Sequence, residues 1–340
     1  MFLRKRMAFT LFFIGLLVCS LFLTFPAECS ITLRIGHIMT NLDLMNQSLE
    51  KVFKPYIEEK TNGEIKIEVY PNELLGHAPD MIEGVRIGTQ AMFIGSGLDW
   101  FESIVPKLAL MSVPFLFMDR DHMNRWIDEV VATEVQQEVI KKGNQRFINL
   151  RGFKAYRGPV RVIASRKPIF TPEDLKGLKL RMWPARTPQR AMEDYGCEVH
   201  TIDWSEAYLA LQQGVVDAIT APLDTLYPQK FTEVVKYVTE WDEFLTPIII
   251  SINEDIWQNL TKEQKQIIIE AKDEAGRWYQ DQVNKEKELT IKKLIREHDV
   301  KYIRINTKPF VDLAYQKVIP DLVSQGLIRE EWVREVESLK

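Results

Sequence analysis

Apolar and polar positions near the start of the chain follow strand and helix patterns in turn. Residues 31–35 alternate between apolar and polar side chains, which predicts a half-buried strand. An amphipathic helix is predicted from about Asp43, and the strict alternation of residues 64–70 predicts a second strand. A helix closed by Gly88 and an apolar strand over residues 90–96 follow. This stretch therefore predicts one unit of alternating strands and helices.

A second unit of the same kind is predicted over residues 171–224. Thr171 suits the N-cap of a short helix that Gly177 ends. Asp203 and Glu206 have the spacing of a capping box at the start of a later helix. The three predicted strands are 178–182, 198–202 and 215–219.

The two units predict an α/β fold with two lobes that face each other across a cleft. Strands that alternate with short helices build mostly parallel sheets, which bind ligands at the carboxyl ends of their strands. The roughly 311 residues that follow the N-terminal segment exceed a typical single core. Because no linker rich in Gly, Ser or Pro divides the units, the chain is expected to cross between the lobes on continuous elements.

The last third of the chain predicts one long helix. Thr261 and Gln264 form a capping box, and the helical pattern continues past Gly276 to about His298. A helix of roughly 37 residues is about 55 Å long at 1.5 Å per residue, which exceeds the width of one lobe. We expect it to brace both lobes, either continuous or broken at Gly276. A coiled coil is the alternative, but the apolar residues do not keep a heptad repeat.

The N-terminal segment has the pattern of a secretory signal. Arg4, Lys5 and Arg6 precede a long apolar run, which small residues follow. These are the charged, hydrophobic and cleavage regions of a signal peptide, so residues 1–29 are predicted to be removed after Cys29, with export to the periplasm. The length of the apolar run leaves an uncleaved membrane anchor as the alternative.

The composition excludes several classes of partner. Without residues 1–29 the chain carries 41 basic and 47 acidic residues, a formal charge of −6, so neither nucleic acid nor an anionic membrane surface is an expected partner. Of the three cysteines only Cys197 lies outside the predicted signal, which excludes an internal disulfide. The five histidines lack the spacing of metal ligands, so neither a metal nor a cofactor is expected.

Arg181 is the first candidate for a ligand-binding residue. It lies near the carboxyl end of the predicted strand 178–182, and Pro184 breaks the chain just after it. In a cleft, a planar guanidinium is suited to clamping a carboxylate with two parallel hydrogen bonds. The alternative is a solvated surface charge, since the chain has 44 Lys and Arg residues.

Seven short segments, spread over nearly the whole chain after the signal, carry a family resemblance. They are LRIGHI, EKTNGEIKIEVYPNELLG, IEGVRIGTQAMFIGSG, VPFLF, PEDLKGLKLR, WSEAYLALQQGVVDA and QKFTEVVKYVT. As an ordered set they closely resemble the solute receptors of TRAP (tripartite ATP-independent periplasmic) transporters, of the dicarboxylate-receptor (DctP) type. The resemblance implies a two-lobed fold like that of periplasmic binding proteins, with a long C-terminal bracing helix.

The same resemblance implies where the chain crosses between the lobes. The crossings are expected near Tyr156 and Pro247, with the ligand cleft between the lobes. Lobe I is then formed by residues 30–158 plus 247–286, and lobe II by residues 159–246 plus 287–340.

The resemblance also assigns ligand contacts to two arginines. Arg161 and Arg181 have the spacing of two ligand-contacting arginines in the family. Arg181 is implied to form the principal salt bridge with the substrate carboxylate, and Arg161 to supply a second cationic contact. The alternative for Arg161 is a surface charge on an edge strand, because Arg157 and Arg166 are close by and equally basic.

Four further residues are predicted to line the cleft. Trp204 occupies a position where the family usually has an aromatic residue, and Trp183 follows the strand arginine by two residues. His37 and Ser96 end predicted strands at the place where the cleft should be. A core position is the alternative for both tryptophans.

Two departures from the family bear on specificity. Ala221 stands where members that bind dicarboxylates or sialic acid commonly have Asn, and Ala91 where many have Asp. Both changes remove polar groups, whereas the two tryptophans add apolar area. A less hydroxylated, more apolar carboxylate than C4-dicarboxylates or sugar acids is therefore expected, with one or two bound carboxylates left open.

The function implied by the resemblance is that of a receptor and not of an enzyme. The receptor captures an organic acid and delivers it to the small and large membrane subunits of a TRAP permease, as a monomer or homodimer. An exported hydrolase or lyase is an alternative, although G-x-S-x-G, H-E-x-x-H and a phosphate-binding glycine loop are all missing from the sequence. A ligand-sensing partner of a membrane sensor kinase is a second alternative, since it would use the same site.

Overall fold

The computed structural model describes residues 30–158 and 160–340, so the predicted signal segment 1–29 lies outside the described residues. The strands of the described residues form one sheet of five and one of six strands. They are β1 (Ile31–Gly36), β2 (Ile65–Tyr70), β3 (Met92–Ser96), β4 (Gln145–Phe147), β5 (Arg161–Ser165), β6 (Lys179–Met182), β7 (Glu198–Thr201), β8 (Ala218–Pro222), β9 (Tyr237–Glu240), β10 (Ile248–Asn253) and β11 (Lys301–Arg304).

The two sheets divide the chain into two lobes. The first sheet has the order β2-β1-β3-β10-β4, in which β1 is parallel to both neighbours and β10 antiparallel to both. The second has the order β11-β9-β5-β8-β6-β7, in which β5 is antiparallel to both neighbours and the other pairs are parallel. Every residue of β5, β8 and β10 is buried, so these strands form the centres of the two cores. The predicted α/β class and two-lobed architecture are confirmed.

The helices of the described residues connect these strands and continue beyond the last of them. They are α1 (44–60), α2 (Ala78–Ile87), α3 (120–143), α4 (Arg186–Asp194), α5 (Ala207–Gln213), α6 (Glu254–Asn259), α7 (Lys262–His298), α8 (308–324) and α9 (Glu330–Ser338), with π-helical stretches inside α1, α3 and α8. No helix of residues 30–158 and 160–340 combines the length and the apolar character needed to cross a bilayer.

Strand β8 begins three residues later than the sequence predicts. Gly214 ends α5 with a left-handed φ of 75°. The N–H groups of Val215 and Val216 both donate to the carbonyl oxygen of Ala210, at 3.0 and 3.3 Å. Because these groups close the end of the helix, they cannot join the ladder of the sheet. The strand therefore begins only at Ala218.

Helix α7 is the predicted brace, and it is continuous over 37 residues. The predicted capping box is present: the Thr261 hydroxyl accepts from the Gln264 N–H at 3.1 Å, and the Gln264 side chain accepts from the Thr261 N–H at 3.0 Å. The helix does not break at Gly276. A Cβ there would lie 3.1 Å from the Phe153 ring, so glycine lets the helix approach the crossing segment closely. One end of α7 contacts α1 and the other contacts β11.

The chain crosses between the sheets at an isolated bridge between Tyr156 and Pro247. Helix α9, which the sequence assigns to lobe II with residues 287–340, contacts residues on the side of the first sheet. The Val336 carbonyl lies 2.8 Å from His122 Nε2, within hydrogen-bonding distance. The Val336 side chain is also fully buried, so the apolar side of α9 is covered at this contact.

A buried ion network lies at the crossing. Arg157 donates to both carboxylate oxygens of Asp43 at 2.9 and 3.0 Å, and Asp224 lies 3.7 Å away. Tyr279 of α7 donates to Asp224 at 2.8 Å and accepts from the Gly158 N–H at 3.2 Å. The network therefore joins the start of α1, the crossing segment, the end of β8 and the bracing helix. The sequence analysis named Arg157 only as a basic residue close to Arg161 and did not predict this network.

Candidate functional site

A cavity of about 50 Å³ lies between the two sheets. Residues of both lobes line it: Ile38, Met39, Ser96, Asp99, Trp100, Met111 and Ser112 from one side, and Arg161, Arg181, Trp183, Trp204, Thr220, Pro222, Phe244 and Thr246 from the other side and the crossing. The cavity thus brings together all of the predicted site residues except His37.

Arg181 lies on β6, between β8 and β7, and is 2% exposed. Its Nε donates to the Ile202 carbonyl at 2.7 Å, and its guanidinium lies 5.2 Å from the centre of the Trp204 ring. Nη2 is buried without a hydrogen-bond partner, and no carboxylate of residues 30–158 or 160–340 forms an ion pair with Arg181. A buried charge without a partner is costly, so this arrangement is suited to receiving an anion.

Burial lowers the pKa of Arg181 to about 10, while the nearby carboxylates Asp203 and Glu73 raise it and Arg161 lowers it further. At neutral pH the guanidinium therefore keeps its charge. A fixed cation in a site that excludes water attracts an anion far more strongly than the same cation would in bulk solvent.

Arg161 begins β5 and differs from Arg181 because it already has a counter-ion. Its Nε lies 3.3 Å from Glu243 Oε1, and its Nη1 donates to the Thr246 hydroxyl at 3.4 Å. The Trp183 and Phe244 rings flank the guanidinium, with centres at 5.7 and 5.5 Å. Arg161 is thus a buried cavity residue and not the surface charge of the alternative interpretation.

The two predicted tryptophans are walls of the cavity. Trp204 is 6% exposed, and its Nε1 is buried without a hydrogen-bond partner in the described residues. Trp183 Nε1 donates to Asp99 Oδ2 at 2.7 Å, which connects the two sides of the cavity. The tryptophans therefore supply apolar surface and, at Trp204, one further donor.

Of the two residues predicted at strand ends, Ser96 lines the cavity and His37 does not. Ser96 ends β3, and its hydroxyl is buried and unpartnered on the cavity wall. His37 does not reach the cavity: its Nδ1 accepts from the Met39 N–H at 3.2 Å, and its Nε2 therefore donates to Asn46 Oδ1 at 3.0 Å. Burial lowers the pKa of His37 to about 4. His37 is therefore not among the residues that line the cavity, because its ring pairs with Asn46 at the start of α1.

Asp99 is a cavity residue that sequence reasoning missed. It begins a short 3₁₀ turn and is 2% exposed. Burial raises the pKa of its carboxyl to about 7, although the hydrogen bond from Trp183 opposes the shift. A single Asp in a loop has no pattern that separates it from a surface residue, so the sequence carried no signal for it.

The sequence predicted that Asp203 caps the helix after it, but the Asp203 side chain makes no capping hydrogen bond. Its carboxylate instead lies 3.6 Å from His77 Nδ1, and Glu73 lies 3.1 Å from the same nitrogen. Burial lowers the pKa of His77, but Asp203 and Glu73 outweigh this effect and raise it. Because His77 belongs to the first lobe and Asp203 to the second, this contact also joins the two sides.

The two alanines that depart from the family are buried but are not among the cavity-lining residues. Ala221 pairs with Val162 in the sheet, while Thr220 and Pro222 on either side of it line the cavity. The Thr220 hydroxyl, with those of Ser96, Ser112 and Thr246, makes the cavity more polar than the alanines alone imply.

Known proteins of one family match this chain in sequence and in structure. The 2,3-diketo-L-gulonate-binding periplasmic protein YiaO of Escherichia coli is 30% identical over 84% of this chain and 85% of that protein. A TRAP periplasmic solute-binding protein of Roseobacter denitrificans, solved with L-galactonate, is 26% identical over 91% of this chain and 98% of that chain, with a TM-score of 0.80. A TRAP protein of Ochrobacterium anthropi with L-fuconate is 25% identical over 91% and 99%, with a TM-score of 0.81.

The family profile of the bacterial extracellular solute-binding proteins, family 7 (DctP), matches residues 35–318. This range includes every residue that lines the cavity and all strands of both sheets except residues 31–34 of β1. The predicted resemblance to TRAP solute receptors is therefore confirmed, and the chain belongs to the DctP family of extracellular solute-binding proteins.

Proposed function

We propose that this protein is the periplasmic receptor of a TRAP transporter, which captures an organic acid and delivers it to the membrane permease subunits without catalysing a reaction. The observation that carries the proposal is the buried guanidinium of Arg181, which has no counter-ion in the described residues and lines the cavity between the lobes. In the described residues Trp204 Nε1–H, on the same side of the cavity as Arg181, and the Ser96 hydroxyl, on the opposite side, are also unpaired. Together these donors suit a carboxylate.

Closure of the lobes on the ligand is part of this proposal. The Asp99–Trp183 hydrogen bond and the His77–Asp203 contact both join the two lobes. A ligand that contacts Arg181 on one side and Ser96 on the other would favour the closed arrangement by its differential affinity for it. The lobes in this proposal are those given above, with α9 assigned to the first.

For the ligand we propose a hydroxylated monocarboxylate rather than the apolar acid expected from the two alanine positions. Four hydroxyl groups and Asp99 line the cavity, and the Ser96 hydroxyl, which is unpartnered in the described residues, can pair with a ligand hydroxyl. The solved relatives from Roseobacter denitrificans and Ochrobacterium anthropi hold L-galactonate and L-fuconate. Indole rings pack against the C–H faces of such acids and exclude water from the salt bridge.

We expect L-galactonate or L-fuconate to raise the melting temperature of residues 30–340, because a ligand at 100 times its Kd stabilises the folded state by about 2.7 kcal/mol. Thermal-shift measurements with these acids, succinate and phenylacetate test this expectation. The matched control is galactitol, which lacks the carboxylate and should give no shift. A shift with galactitol but with none of the acids would contradict the proposed function.

We expect carboxylate affinity to fall by about tenfold between about pH 6 and pH 8, because Asp99 ionises near pH 7 and adds a negative charge to the cavity. Because burial raises the pKa of Asp99, the folded protein is more stable at pH values below the ordinary pKa of an Asp side chain. It loses this stability as the pH rises through about 7. Calorimetric titrations with L-galactonate at several pH values measure the effect.

Asp99→Asn is the matched variant for this pH dependence, because an amide oxygen can still accept from Trp183 Nε1. Its affinity should stay constant over the same pH range. A wild-type affinity that does not change with pH would show that Asp99 does not titrate beside the ligand.

A further inference from the structure

We propose that Glu243 determines the charge of the ligand: by pairing with Arg161 it leaves Arg181 as the one arginine without an ion-pair partner among the described residues that line the cavity, so the site accepts a monoanion and discriminates against dicarboxylates. This inference rests on the proposed function of the same cavity. Glu243 does not line the cavity itself and acts through Arg161.

Glu243 lies beside Arg161 in a buried position. The side chain of Glu243 is fully buried, and that of Arg161 is 7% exposed. The Glu243 carbonyl accepts from the Phe115 N–H at 2.9 Å, which fixes the backbone. The N–H groups of Trp241 and Asp242 both donate to the Arg161 carbonyl at 3.1 Å. These bonds fix the backbone of both residues, and the ion pair itself is the contact of Arg161 Nε with Glu243 Oε1 at 3.3 Å.

The charges around the cavity favour one ligand carboxylate and not two. Arg161 and Arg181 lie close enough for Arg161 to lower the pKa of Arg181, so the two cations repel each other. Glu243 relieves this repulsion by pairing with one of them. A second ligand carboxylate at Arg161 would have to lie beside the buried Glu243 carboxylate, which is unfavourable in a site of low dielectric. Asp99, on the cavity wall, opposes a second anion as well.

This arrangement explains why two arginines do not predict a dicarboxylate site. Arg161 has the partners of a structural ion pair, with Glu243 on one side and two aromatic rings about its guanidinium. Arg181 has a single hydrogen bond, to a backbone carbonyl, and an unpaired Nη2. In the part of the chain that the structure describes, Arg181 is therefore the cavity arginine with an unpaired guanidinium nitrogen that can bind a ligand carboxylate.

Matched acid pairs test the inference, because they share a carbon skeleton and differ by one charge. The pairs are galactonate with galactarate, and monomethyl succinate with succinate. For the wild-type protein, the monoanion of a pair is expected to bind about tenfold more tightly than the dianion. In Glu243→Gln, which keeps the shape of the side chain, the ratio of the two affinities should move toward the dianion by about tenfold or more, because Arg161 becomes free to pair.

Glu240→Gln is the matched control, since Glu240 lies on β9 and accepts from Tyr302 at 2.7 Å, away from the cavity lining. It should leave the ratio unchanged, and so should Glu243→Asp if it keeps the ion pair. The inference is overturned if the dianion binds the wild type as tightly as the monoanion, or if Glu243→Gln leaves the ratio unchanged. If Glu243→Gln does not fold, equal affinity of the wild type for the two members of a pair still overturns the inference. If no acid of either pair binds the wild type, the proposed function itself has failed.

Discussion

Replacing Arg181 by alanine is expected to weaken carboxylate binding by about a hundredfold or more, because the variant loses a buried, charge-assisted pair. The folded state should not suffer in the same way. Arg181 makes one side-chain hydrogen bond and has no ion-pair partner in the described residues, so its removal also relieves an uncompensated buried charge. Calorimetric titration with L-galactonate measures the first effect, and the melting temperature without ligand measures the second.

Two further variants define what Arg181 contributes. Arg181→Lys keeps the charge but should still bind poorly, because an ammonium group cannot reproduce the planar fork of the guanidinium. Arg34→Ala is the control, since Arg34 lies on β1 with a side chain that is 57% exposed. It should leave the affinity unchanged. An Arg181→Ala variant with wild-type affinity would remove Arg181 from the site.

The second large effect is expected at Arg157, where substitution by alanine should lower the free energy of unfolding by about 3–5 kcal/mol. Arg157 is fully buried and pairs through two nitrogens with Asp43, whose side chain is 1% exposed. Without the guanidinium, Asp43 and Asp224 would be two buried carboxylates close together without a cation. Chemical denaturation of the ligand-free protein measures the change.

Arg34→Ala again supplies the matched control, because the exposed pair between Arg34 and Glu68 should contribute about 1 kcal/mol or less. Asp43→Asn should cost less than Arg157→Ala, since it removes one of the two carboxylates and keeps the cation paired with Asp224. If Arg157→Ala lies within the range of the Arg34 variant, the network does not hold the crossing segment in place.

Much of the fold could be predicted because its signals are local. The capping box at Thr261 and the uninterrupted pattern after it predicted α7 to within a residue at each end. Alternating apolar positions predicted β1 and β2 in the same way. The errors occurred where a group had two competing partners. Val215 and Val216 have the composition of a strand, but their N–H groups close a helix.

The candidate site was predicted as a set of residues but not as a set of interactions. The position of Arg181 near the end of its strand and the resemblance to TRAP receptors indicated the cavity, with both tryptophans and Ser96 on its wall. Asp203 has the spacing of a capping residue, yet its carboxylate faces His77 of the other lobe. Asp99 and Glu243 were missed because each meets its partner only across the fold.

The sequence by itself determined the α/β class, the family and the strand that carries Arg181, because these depend on periodicity, caps and the order of segments along the chain. Only the tertiary structure decided what each arginine does. Arg157, Arg161 and Arg181 are chemically identical and close in sequence, but in the described residues Arg157 pairs with Asp43, Arg161 pairs with Glu243, and Arg181 has no ion-pair partner. The reason is physical: the worth of a buried charge depends on the counter-charges that the fold brings beside it, and those come from residues far away along the chain.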